Sequence, residues 1–200
     1  MVVFCELPLA DISLIPWPNS VKLSKSGRFK FNRKTSILSD NGLKTVAGLL
    51  DEYLNPVLGF HLLQDNRSDV KNAVVLRLNN SLKDLGNEGY SLKVNSNVVL
   101  IEAYHPAGVF YGIQTLRQLL PVAVFSRKEI KDVCWNIPYV EIKDSPRFWW
   151  RGMHLDVSRH FMPDEFINKE GNFITEAFFH YIKPLIGELP NYVKLKYCKA

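Results

Sequence analysis

Cysteine is scarce in this chain of 200 residues, which holds only Cys5, Cys134 and Cys198. Three thiols, odd in number and far apart, make neither a metal-ligand pattern nor a disulfide framework, so separate thiols are expected. No cluster of histidine, cysteine and acidic residues has ligand spacing, which argues against a metal, and no cofactor is implied. No apolar run approaches the roughly 20 residues that a membrane-spanning helix needs, so a membrane role is not expected. The N-terminus begins apolar, but no basic residue precedes that run, and Glu6, Pro8 and Asp11 interrupt it. It does not read as a secretory signal peptide, which leaves a cytosolic protein or a precursor whose start is missing. Internal repeats and low-complexity segments are also absent. Acidic residues are missing from 22–34, where Lys22, Lys25, Arg28, Lys30, Arg33 and Lys34 supply much of the net charge of +5. A basic strand could touch nucleic acid. However, only Phe29 and Phe31 interleave, so a solvated edge strand guarded by lysines is the preferred reading, with no nucleic-acid partner.

What the chain does hold is apolar: 46% hydrophobic and 12% aromatic residues. That is enough for a well-formed core, and the length fits one large domain or one domain plus part of another. The segment LIPWPNSV (14–21) is proline-punctuated and extended, an entry to the domain. The run GRFKFNRKTSIL (27–38) alternates and predicts a strand. From Leu43, apolar residues at Val46, Ala47, Leu50, Tyr53, Leu54, Val57 and Leu58 follow helical spacing, with Pro56 in the last turns and Gly59 ending the helix.

AVVLRLN (73–79) predicts a buried strand. GYSLKVN and NVVLIEAY predict a hairpin meeting at Asn95-Ser96-Asn97, with asparagine supplying positive-φ positions. HPAGVFYGIQTLRQLLP (105–121) is a second helix, with Pro106 in its first turn and Pro121 beyond its end. IPYVEIKDSPRF (137–148) predicts a short strand and then a turn at Asp144-Ser145-Pro146. Together these give an α/β (α+β) fold: a small, mostly antiparallel or mixed sheet with two helices on one face.

Residues 147–161, RFWWRGMHLDVSRHF, place three arginines, two histidines and one aspartate in an apolar, aromatic frame. With GVFYGIQTLRQLLP (108–121) and IPYVEIKDSPRF ahead of it, this order and spacing resembles the family 20 glycoside hydrolases, the β-N-acetylhexosaminidases. The resemblance runs from about Leu14 to Pro163. It implies an N-terminal α/β domain over 12–143, the first strand of a (β/α)8 barrel over 144–163, and a tail over 164–200 that departs from the family pattern. The start of an incomplete barrel therefore follows the small domain.

By the same resemblance, Arg159 lies just past the strand's C-terminal end, where barrel enzymes keep their active sites, and grips hydroxyls of a terminal N-acetylhexosamine. A guanidinium fork suits two adjacent sugar oxygens. Asp156 is expected to support that fork, and His160 to sit beside it. Arg151, His154, Trp149 and Trp150 are expected to be structural. Tyr111, Gly112, Gln114 and Thr115 are expected to serve helix packing and interdomain contact, with no chemistry.

The family reaction is retaining hydrolysis of terminal N-acetyl-D-hexosamine from glycoconjugates or chitin-type oligosaccharides. The substrate's own acetamide is the nucleophile, an exception to the two-carboxylate mechanism. The family's Asp-Glu pair belongs to a later barrel strand. Asp51-Glu52 falls on a small-domain helix and Asp164-Glu165 follows the first strand, so neither is that couple. The chain is therefore expected to be an inactive fragment when alone. A misread exon, a truncated gene model or an alternative transcript would each produce such a tail.

The alternative reading is a non-catalytic binding module derived from the small domain, with a homologous full-length subunit as partner. Relatives of this kind are typically lysosomal, secreted or periplasmic, and the compartment of this chain stays open. Two sequons, Asn66-Arg67-Ser68 and Asn79-Asn80-Ser81, would accept glycans only on a secretory route.

Overall fold

The structure is a computed structural model that describes residues 12–64, 71–126 and 128–148. The described elements all belong to one unit, which ends at Arg147. They run in the order β1 (Ser20–Lys30), β2 (Ser36–Ser39), α1 (Lys44–Leu58), β3 (Leu63–Gln64), β4 (Ala73–Leu78), β5 (Tyr90–Val94), β6 (Val98–Ala103), α2 (Pro106–Leu119) and β7 (Asn136–Asp144).

The seven strands form one sheet in the order β1-β7-β5-β6-β4-β2-β3. It is mixed: β3, β2, β4 and β6 pair in parallel, whereas β5 pairs antiparallel with β6 and β7, and β7 with β1. Helix α1 packs on β2, α2 packs on β4, β5 and β6, and the helices touch each other. They therefore share one face of the sheet. The core between these layers holds Leu43, Leu50, Leu54, Leu76, Leu92, Ile101, Ile113, Leu116, Ile137 and Ile142, all essentially inaccessible.

Most of the apolar positions that predict the first helix are buried, although Tyr53 is half-buried and Leu49 joins the buried face. In α1 the inward residues are Val46, Ala47, Leu49, Leu50, Leu54, Val57 and Leu58. Pro56 lies inside the helix near its C-terminal end, where its missing N–H gives up one helical hydrogen bond, and Gly59 ends the helix in the left-handed region, its N–H returning to the Asn55 carbonyl. In α2, Pro106 sits where a missing N–H is harmless, and the His105 side chain caps the Ala107 N–H.

Four expectations need correction. GRFKFNRKTSIL is not one strand. It is the end of β1 and the start of β2, which lie at opposite sides of the sheet. A turn divides it: the Asn32 N–H donates to Thr35 Oγ1 at 2.9 Å, and the Lys34 N–H to Asn32 Oδ1 at 2.8 Å. Such local side-chain bonds compete with the sheet ladder and win here.

The β5–β6 hairpin forms as expected, yet neither asparagine has positive φ. Asn95 Oδ1 instead accepts from both the Asn97 and Val98 N–H groups at 2.9 Å, which closes the turn. β7 is not short, since it has nine residues and lies between β1 and β5. Finally, Cys134 is not a separate thiol but disulfide-bonded. Both other cysteines, Cys5 and Cys198, lie outside the described residues.

The start of β1 and the end of β7 meet. The Asn19 N–H donates to Asp144 Oδ1 at 3.1 Å, and its Nδ2 donates to the Ser145 carbonyl at 3.1 Å. Antiparallel pairing of Ser20 with Lys143 continues this clasp into the sheet.

Candidate functional site

The residues expected to hold a sugar, Arg159, Asp156 and His160, lie outside the described residues. So do Trp149, Trp150, Arg151, His154 and the pair Asp164-Glu165. What the structure does show is the scaffold that leads to them: β7, then Asp144 and Ser145 held against Asn19, then Arg147 and Phe148 at the surface.

Within the scaffold, carboxylates are engaged in holding backbone and side chains. Asp51 closes the loop after α1, with Oδ1 accepting from the Leu62 N–H at 2.7 Å and Oδ2 2.6 Å from His61 Nδ1. This explains Asp51 of the Asp51-Glu52 pair as a loop clasp. Asp40 Oδ2 accepts from the Leu78 N–H at 2.8 Å, tying the start of α1 to the end of β4. Glu102 accepts from Asn79 Nδ2 at 3.1 Å. Among the described residues, no group of three or more His, Cys, Asp or Glu side chains could hold a metal ion.

The second-helix motif is built around close approach. A Cβ on Gly108 would fall 2.2 Å from the Gly89 carbonyl oxygen, and one on Gly112 would fall 2.5 Å from Ile101 Cγ2. Only glycine lets α2 sit this near β5 and β6. One turn on, the buried Thr115 hydroxyl meets the Tyr90 hydroxyl at 2.5 Å. Burial pushes the Tyr90 phenol up to about 12, with the Thr115 hydrogen bond pulling the other way and nearby Asp144 reinforcing the rise. Tyr111 donates to Glu88 Oε1 at 3.4 Å. Gln114 Oε1 accepts from Arg117 Nη1 at 2.9 Å. The expected helix-packing role of Gly112 and Thr115 is therefore visible in the contacts they make.

Sequence reasoning missed two residues at the end of α2. The Arg117 guanidinium lies 3.8 Å from the centre of the Tyr53 ring and 5.2 Å from that of Phe125, joining α1 to the segment after α2. Gln118 pairs with the entry segment through both ends of its amide: Oε1 accepts from the Ile15 N–H at 2.8 Å and Nε2 donates to the Ile15 carbonyl at 3.1 Å. The position of Arg117, three residues after Gln114 on one helix face, was the only local signal, because Tyr53 is remote in sequence. Near this end of α2, Ile15, Trp17, Val122 and Phe125 remain largely exposed.

The basic strand offers no stacking platform. Phe29 and Phe31 are buried against each other, with ring centres 5.1 Å apart, and Arg33 lies over Phe60.

Residues 11–145 match the family model for Glycosyl hydrolase family 20, domain 2. A beta-hexosaminidase of Porphyromonas gingivalis is 38% identical over 168 residues, covering 82% of this chain and 21% of that protein. A beta-hexosaminidase of Vibrio furnissii is 33% identical over 169 residues, covering 82% and 25%. Among solved structures, a mutant Streptomyces plicatus beta-hexosaminidase in complex with its product GlcNAc aligns with a TM-score of 0.70 at 33% identity, over 84% of this chain and 33% of that one. An exo beta-N-acetylglucosaminidase from Vibrio harveyi in complex with N-acetylglucosamine aligns with a TM-score of 0.62 at 26% identity, over 81% and 23%. The chain thus spans between 21% and 33% of the length of these proteins.

Proposed function

The chain belongs to glycosyl hydrolase family 20, and we propose that it is the domain-2 portion of a β-N-acetylhexosaminidase followed by the first strand of the catalytic barrel. The small domain occupies 12–143, the strand 144–163, and the tail 164–200 diverges. The carrying observation is the match of residues 11–145 to the family's domain 2. It ends where the motif of the first barrel strand begins.

In this reading β7 and the Asn19 clasp fix the point from which the barrel strand starts. Arg159 binds two hydroxyls of a terminal N-acetylhexosamine through its fork of N–H donors. Asp156 holds that fork in orientation, and His160 flanks it. In the complete reaction the substrate's acetamide oxygen attacks the anomeric carbon, a glutamate protonates the leaving oxygen, and an aspartate steadies the acetamide. Neither Asp-Glu pair within these 200 residues has the family's placement, so in this reading the stretch by itself grips the sugar without cleaving it.

A chromogenic N-acetylglucosaminide assay on the full chain tests this. Turnover at background is expected, together with weak N-acetylglucosamine binding that Arg159→Ala abolishes. Measurable turnover lost in Arg159→Ala would overturn the reading of an inactive fragment.

The exposed Ile15, Trp17, Val122 and Phe125 favour a second reading: a non-catalytic module that docks on a full-length homologous hexosaminidase. Co-purification with such a homologue, lost in Trp17→Ser, would select it over the first.

A further inference from the structure

We infer that Asn79 is an N-glycosylation site, filled as the chain passes through an oxidising secretory compartment. In the sequon Asn79-Asn80-Ser81, the half-buried Asn79 caps the 3-10 turn Asn80–Leu85 after β4, while Asn80 and Ser81 are exposed and the turn buries none of its side chains. Asn79 has an extended backbone, with φ −130° and ψ 107°.

Both ends of its amide are placed. Oδ1 accepts from the Ser81 N–H at 2.9 Å, and Nδ2 donates to Glu102 Oε1 at 3.1 Å. A primary amide nitrogen carries two hydrogens. The bond to Glu102 uses one and leaves the other position for a sugar. A glycan there is therefore compatible with both hydrogen bonds that hold the turn. It would also lie beside Leu78, which is 38% exposed at the end of β4.

The transfer balances without redox chemistry. A bond forms between Asn79 Nδ2 and the anomeric carbon of an oligosaccharide carried on a polyprenyl diphosphate. The bond from that carbon to the diphosphate oxygen breaks. The amide gives up one proton, and the lipid diphosphate leaves.

The second observation is independent. Cys134 is disulfide-bonded, and such bonds persist in secretory and other oxidising compartments, whereas cytosolic thiols are kept reduced. The secretory route is also where the lipid-linked donor is met. The disulfide and the sequon thus point to one route of maturation.

The test is secretion of the full chain from a eukaryotic host behind a secretion signal, followed by peptide mass mapping with and without peptide N-glycosidase. The wild-type peptide containing Asn79 should carry a hexosamine-based glycan, which the glycosidase removes with conversion of Asn79 to aspartate. Ser81→Ala deletes the acceptor hydroxyl but keeps the backbone N–H that caps the turn, so it should lose the glycan at Asn79 while leaving unchanged the thermal midpoint of chains made in a host that does not glycosylate. Ser81→Thr should restore it. A secreted, disulfide-bonded wild-type chain with unmodified Asn79 overturns the inference, whether or not Asn66 is modified. So does a modification at Asn79 that survives Ser81→Ala.

Discussion

Helix α2 and strand β1 sit at opposite extremes of tolerance within one domain. Along α2, Ala107, Gly108, Val109, Phe110, Gly112, Ile113, Thr115, Leu116 and Leu119 are buried, and two glycines are required by neighbouring atoms. Along β1 every residue before Phe29 is exposed or half-buried, and the register slips between Leu23 and Arg28. Gly27 makes that bulge possible, with φ at 99° and the Tyr139 ring standing where a Cβ would be. The difference separates two kinds of sequence signal. Motif residues on α2 mark contacts that admit no added atom, whereas the lysines of β1 mark an edge kept in water and unattractive to a second strand.

Five substitutions test that contrast, the largest effect first. Gly108→Ala forces a methyl against the Gly89 carbonyl and should lower stability by about 1–3 kcal/mol, read as a fall in the urea midpoint at unchanged slope. A neutral result would remove the basis of the comparison.

Tyr90→Phe leaves the buried Thr115 hydroxyl without its partner and should cost about 1–2 kcal/mol at neutral pH. It also carries a pH signature. The phenol titrates near 12 in the folded chain and near its ordinary value of 10.0 when unfolded. A raised phenol pKa means that the unfolded chain loses its proton first as pH climbs. The contribution of Tyr90 is therefore complete below pH 10 and is lost between pH 10 and 12. Denaturation curves across that window should fall more steeply for wild type than for Tyr90→Phe.

Gln118→Ala removes the double amide pairing to Ile15, an exposed contact, and should cost only about 0.5–1 kcal/mol. Its sharper readout is faster proteolysis within 12–19. The smallest effect belongs to the edge: Lys22→Ser and Lys30→Ser should each shift stability by less than about 0.5 kcal/mol. A larger change would show that β1 is held by more than its pairing with β7.

Periodicity made the helices and the central strands legible, because burying one face against a sheet leaves a repeat that any reader of the chain can count. It failed at Asn32–Thr35 for a physical reason. That turn is made by side-chain bonds to the backbone, without glycine or proline, inside a run that keeps alternating. The disulfide at Cys134 escaped because parity and spacing carry no distance information. Arg117 escaped because its aromatic partners come from α1 and from beyond α2, and only the fold brings them together. The proposed sugar contact of Arg159, and the proposed support from Asp156 and His160, rest on the motif that contains them and on the family to which the chain belongs.

The hydrogen bonds from Asn19 to Asp144 and Ser145 make this fold portable. Because β1 enters and β7 leaves through one doorway, the stretch 20–144 can be spliced into a host protein as a cassette without stretching either side of the splice. The same doorway permits a circular permutant, joined across it and reopened at the Asn95-Ser96-Asn97 turn, that should keep the native strand order.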